Sequence, residues 1–117
     1  MRRLALASIL AILCTTAAAQ SRPTRIIVPF AVGGASDTYT RIVAQKITEQ
    51  TGKAFVVENL TGAGGRIAWD TAAKSAPDGA TIALIDATYP MLPGLFASLP
   101  WEVSGDLIPA ALIAQTP

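Results

Sequence analysis

The sequence predicts an α/β fold whose core is a parallel βαβαβ sheet. Three observations carry that expectation. Short apolar runs at 25–30, 54–58 and 81–85 have the length and β-branched content of strands. The first two end in glycine-rich turns, 31–35 and 59–65, that open directly into segments of helical period. Strand, helix and strand at this spacing imply right-handed crossovers in an open sheet.

A leader precedes these elements. Arg2 and Arg3 form a basic n-region, Leu4 to Leu13 an apolar run, and Ala17-Ala18-Ala19 a small-residue cleavage site before Gln20. That order reads as a secretory signal peptide over 1–19, because an apolar run of about ten residues is half of what spans a bilayer. Cys14 follows the bulky Leu13, which does not suit a lipoprotein site, and cleavage near Ala19 removes it. The remaining 20–117 holds no cysteine or histidine, so packing alone must hold it together. Its seven basic and eight acidic residues give a net charge of −1 without a basic cluster. That balance argues against nucleic acid and against anionic membrane surfaces as partners.

Arg25 to Phe30 is nearly continuous in apolar character, as in a strand buried on both faces. After Gly33-Gly34-Ala35, either Ser36 or Asp37 can cap a helix. Tyr39, Ile42, Val43 and Ile47 line one side of it, Arg41, Gln45 and Glu49 another at i, i+4 spacing, and Gly52 marks its stop. Ala54 to Glu58 is expected as a second buried strand. A second helix is expected from about Arg66 to Ala76, with Ile67, Ala68, Thr71 and Ala72 inward and Arg66, Asp70 and Lys74 outward. Pro77-Asp78-Gly79 is a turn before the third strand, Thr81 to Ile85. A proline-containing segment with a short helix follows, Tyr89 to Pro100, and Leu107 to Ala114 reads as a fourth strand.

In such a sheet, ligands bind in the crevice at the carboxyl ends of the strands. A helix start offers unpaired backbone N–H groups and about half a positive charge, which suits a carboxylate without any basic side chain. The candidate binding residues are therefore Phe30, Gly33, Gly34, Ala35, Ser36 and Asp37 of the first turn, and Asn59, Gly62, Ala63, Gly64 and Gly65 of the second. Thr88, past the third strand, is a further candidate donor. Asp37 reads either as a helix cap or as an acceptor for a ligand amide, amine or hydroxyl. Asn59 reads either as a turn-fixing residue or as a pocket residue, and Phe30 as pocket wall or core. Trp69 and Trp101 read as packing residues. No catalytic residue is assigned: the mature chain offers no Ser-His or Cys-His pair and no ordinary zinc ligands, and its carboxylates are scattered singly. The alternative is a nucleotide-dependent α/β enzyme fragment. Gly62-Ala63-Gly64 begins a dinucleotide fingerprint and Asp86 lies downstream, but Ile67 stands where the third glycine belongs.

Three motifs together suggest a family. Arg25 to Asp37 (RIIVPFAVGGASD), Val56 to Gly65 (VVENLTGAGG) and Ala76 to Gly79 (APDG) closely resemble the solute-binding components of tripartite tricarboxylate transporters, the Bug family. The resemblance covers essentially the whole of 20–117. It implies a fold like type II periplasmic binding proteins, two α/β lobes closing on a small organic acid or amide. The 20–117 segment would be part of the first lobe, with the second lobe missing. It further implies that the Phe30–Asp37 and Asn59–Gly65 loops hold the ligand, largely through backbone amides. No metal or cofactor, a monomeric periplasmic protein and a membrane permease pair as partner complete the expectation. The sequence departs from the family pattern at Ala31 and Val32, at Leu60 and Thr61, and over Asp86 to Pro90.

Overall fold

The computed structural model describes residues 22–115; the expected leader and its cleavage site lie outside them. Strand β1 (Thr24–Val28) occupies the centre of a three-stranded parallel sheet. Helix α1 (Ala35–Thr51) leads to β2 (Phe55–Asn59), and helix α2 (Arg66–Ala73) leads to β3 (Thr81–Ala83). A 3-10 turn (Ala63–Gly65) precedes α2, and a second (Tyr89–Met91) runs into the short helix α3 (Leu92–Leu95). The order β2-β1-β3 puts Val28 opposite Asn59 and Ile27 opposite Ala83. The parallel βαβαβ core is thus present as expected.

The continuous apolar run of β1 follows from burial on both faces. Ile26, Ile27 and Val28 are all buried, and Ile27 packs with Ala68 and Ala72 of α2. The first crossover runs from β1 to β2 and the second back from β2 past β1 to β3, so right-handed connections set α1 and α2 on opposite faces. Residues 65, 68, 69 and 72 form the buried stripe of α2 and its approach. Trp69 is fully buried; it donates from Nε1 to the Leu84 carbonyl at 2.9 Å and meets the Tyr89 ring edge-on at 5.1 Å. Leu92 and Trp101 complete that cluster, and Trp101 Nε1 donates to the Tyr89 hydroxyl at 3.2 Å. Both tryptophans are packing residues.

Several expectations change. Helix α1 starts from Gly34, with Ser36 and Asp37 already inside its first turn and no side-chain cap at Gly34. Its buried face is Asp37, Thr40 and Ala44, whereas Ile42 is 60% exposed. Ile42 sits two residues from Thr40, about 200° round the helix, so it cannot share that face. Polar residues take the inner positions because they are satisfied locally: the Thr40 hydroxyl donates to the Ser36 carbonyl at 2.6 Å. In α2, Trp69 turns inward and Ile67 is half exposed, and the helix ends at Ala73. Strand β2 is paired on one side only among the described residues, so Val56 is exposed rather than buried. Residues 107–114 are irregular rather than a fourth strand, with Ile108 86% exposed.

Candidate functional site

Parallel pairing brings the carboxyl ends of all three strands to one edge of the sheet, so the loops after β1, β2 and β3 share it. The first loop spans Phe30 to Gly34, with Gly33 at φ 83° and Gly34 extended at the helix start. The second climbs through Gly62, Ala63, Gly64 and Gly65, all at positive φ. Ala63, at φ 47°, carries a Cβ in the left-handed region, which costs about 1 kcal/mol. Gly65 has no substitute: a Cβ there would sit 2.6 Å from the Trp69 ring. Neither Gly34 nor Gly65 can cap its helix with a side chain; the Gly65 and Arg66 N–H groups donate back to the Gly62 and Ala63 carbonyls, whereas the first-turn N–H groups of α1 are left to other partners.

The roots of the two loops are tied together by side chains. Asp37 is 2% exposed, and its carboxylate accepts from the Gly33 N–H at 2.8 Å, from Arg41 Nε at 3.0 Å and from Asn59 Nδ2 at 3.0 Å. Arg41 adds an ion pair to Asp37 at 2.9 Å and donates to Asn59 Oδ1 at 3.0 Å. The remaining Asn59 N–H donates to the Phe30 carbonyl at 3.0 Å. These contacts fix the amide orientation of Asn59, since both of its N–H bonds meet acceptors and its oxygen meets a donor. Hydrogen bonding from Arg41, then from the Gly33 amide, lowers the Asp37 carboxyl from 3.8 to about 2, against the opposing cost of burial. The same pairing raises the Arg41 guanidinium above its usual value. Side-chain charge at the first loop is therefore internally balanced, and an anion there would meet main-chain dipoles.

The structure gathers the residues expected at the site unevenly. Phe30, Gly33, Asp37 and Asn59 are joined in one cluster at the ends of β1 and β2, and Gly34, Ala35 and Ser36 lie between Gly33 and Asp37 at the start of α1. Asp37 and Asn59 both act inward, on their neighbours' backbone, and their polar atoms are occupied. Gly62, Ala63 and Gly64 are exposed at the same sheet edge, whereas Gly65 is buried against Trp69. The side chain of Ile67 lies over Gly62. Thr88 follows β3, and its N–H and hydroxyl both donate to Asp86 in a local turn. Arg41, placed by the sequence on one helix side with Gln45 and Glu49, is a member of the cluster. Its i, i+4 spacing from Asp37 was the available signal. Nearby Arg66 is drawn over the Phe96 ring at 5.1 Å. One shallow depression lies away from this edge, bounded by Phe96, Trp101 and Val103, and a second adjoins the Gly62–Gly65 loop, bounded by Ala63, Arg66, Ile67 and Asp70. Among the described residues, no group of three His, Cys, Asp or Glu could hold a metal ion, and no helix is long and apolar enough to cross a membrane.

Fold and loops together define a class: an α/β unit of the kind found in solute-binding proteins, with the loops after its strands gathered at the carboxyl edge of a parallel sheet. The profile of the tripartite tricarboxylate transporter family receptor matches residues 39–117, and the chain belongs to that family. Protein BugT of Bordetella pertussis (strain Tohama I) is 39% identical over 99 residues, covering 83% of this chain and 30% of BugT. Among solved structures, MatC from Rhodopseudomonas palustris with bound malate superposes with a TM-score of 0.73 at 33% identity. That match covers 81% of this chain and 33% of MatC. The periplasmic binding protein BugD superposes with a TM-score of 0.70 at 35% identity over 75% of this chain and 29% of its own. The chain thus spans about 30% of the length of the curated relatives it matches. The resemblance read from the three motifs is borne out, and with it the fold class.

Proposed function

We propose that this chain forms part of the first lobe of a periplasmic receptor that captures a small carboxylate-bearing solute, or a related amide, for a membrane permease. The carrying observation is that two glycine-started helices open from neighbouring strand ends, with their loop roots bound together through Asn59. In this reading the ligand carboxylate accepts from first-turn N–H groups of α1 (Ala35, Ser36, Asp37) and from the Gly62–Gly65 loop. Phe30 walls the crevice, Asp37 and Asn59 shape it from beneath, and Thr88 lies at its margin. The strained Ala63 fits a loop held in shape for a partner. The bound malate of MatC, a member of the same family, supports the carboxylate class. The receptor works by capture rather than chemistry, as a monomer without cofactor, and reaches the periplasm by cleavage of its leader near Ala19. A second lobe closes over the ligand.

Calorimetry and thermal unfolding of the full chain test this against malate, succinate, benzoate, nicotinamide and NAD. A specific ligand at a hundred times its Kd should stabilise by about 2.7 kcal/mol. Stabilisation by one of the acids or by the amide, and none by NAD, is expected. Silence from all of the acids and the amide overturns the reading, and stabilisation by NAD alone favours the nucleotide enzyme.

A further inference from the structure

The capture loop is gripped at both ends by side chains that lie outside it. At its start the Phe30 carbonyl accepts from Asn59, and near its end the Gly33 N–H donates to Asp37. Between the two grips Ala31 and Val32 are exposed and carry no ring to fix φ, and the loop's own backbone bond, from the Gly34 N–H to the Ala31 carbonyl, is long at 3.3 Å. Neither grip stands alone, because Arg41 engages both. Its Nε and one terminal nitrogen hold Asp37, and that same terminal nitrogen reaches Asn59 Oδ1. A guanidinium presents several donors in a rigid plane, which a lysine ammonium cannot reproduce. One residue on α1 therefore sets the orientation of a carboxylate and an amide that together set the loop.

We infer that Arg41 is a positioning residue for ligand capture: through Asp37 and Asn59 it holds the Phe30–Gly34 loop so that the α1 N–H groups stay directed at the ligand. This rests on the carboxylate-capture reading above. Arg41 touches no ligand in this scheme. It lowers the ordering cost of binding by keeping the loop in its bound shape beforehand.

The full chain is compared with Arg41→Met and Arg41→Lys, using malate as the probe. Arg41→Met is expected to weaken malate binding roughly tenfold, the lower end of what loss of a supporting residue costs at a pre-organised site. Arg41→Lys keeps the charge without the fork and should recover part of that loss. The Gly33 amide proton, bonded to Asp37, reports the network directly by NMR. Its pH titration should have a midpoint near 2 in the parent and a higher one in Arg41→Met. Among the described residues, the other groups facing Asp37 are Gly33 and the neutral Asn59, while Glu58 is paired with Arg25. Malate bound by the parent and by Arg41→Met with equal affinity overturns the positioning role and leaves the capture reading standing. An unmoved Gly33 titration overturns it as well, even should Arg41→Met lose stability. No binding of malate or any other acid or amide by the parent sinks both.

Discussion

At the scale of single residues, two positions carry the sharpest expectations. Gly65 combines a φ of 93° with a Trp69 ring 2.6 Å from where a Cβ would stand. Gly65→Ala should cost about 2 kcal/mol in chemical denaturation, since backbone strain and overpacking act together. Pairing it with Trp69→Leu should give a smaller loss than the sum of the two single changes, because the smaller side chain relieves the clash. A strictly additive double mutant would contradict that contact. Asp37 provides the pH dependence. Its folded-state carboxyl is held near 2, below the ordinary 3.8. A depressed pKa contributes stability that is complete above the unfolded value and lost as pH falls through the folded one. Stability of the parent should therefore decline between about pH 4 and pH 2, with Asp37→Asn showing a shallower acid limb. Parallel acid limbs for the two proteins would remove Asp37 from the account.

At the scale of elements, α1 shows why apolar pattern alone misplaces a helix face. Asp37, Thr40 and Ala44 turn to the sheet, the first two because their hydrogen bonds are made within the loop and helix. Ala44 is small enough for α1 to lie close against the sheet, and Ile42 remains in solvent. Ile42→Lys should accordingly change stability by no more than about 0.5 kcal/mol, while Ala44→Leu should cost about 1–3 kcal/mol. Thermal unfolding of the pair would separate this face from the one that apolar spacing suggests. In α2 the same lesson has another cause. Ala68 and Ala72 bring the helix close to Ile27, and the volume beside them is filled by Trp69 rather than Ile67. Trp69→Phe should cost about 1–3 kcal/mol, as it strips the Leu84 carbonyl of its donor.

At the scale of the whole molecule, the reversal of crossover direction at β2 makes the site possible. One strand order sends α1 and α2 to opposite faces while leaving both helix starts at one sheet edge. The balanced Asp37–Arg41 pair leaves no net side-chain charge of its own at the first loop, so affinity there should respond only weakly to salt. Calorimetry of malate binding at low and high ionic strength checks this. A steep decline with salt would point instead to a basic side chain as the main ligand contact.

By itself the sequence determined the elements and their loops. The βαβαβ order, the glycine turns at 33–34 and 62–65, and the family motifs are all local patterns, set by φ freedom, β-branching and helical period. Partnerships across the chain were decided only by tertiary structure. Nothing in spacing says that Asn59 meets Phe30 and Asp37 across 29 and 22 residues, or that Arg41 turns toward them instead of solvent. Nor does an apolar run at 107–114 say whether a strand edge receives it; among the described residues it pairs with none. Hydrogen bonds between distant side chains depend on strand register and sheet order, and a linear pattern of residue types encodes neither directly.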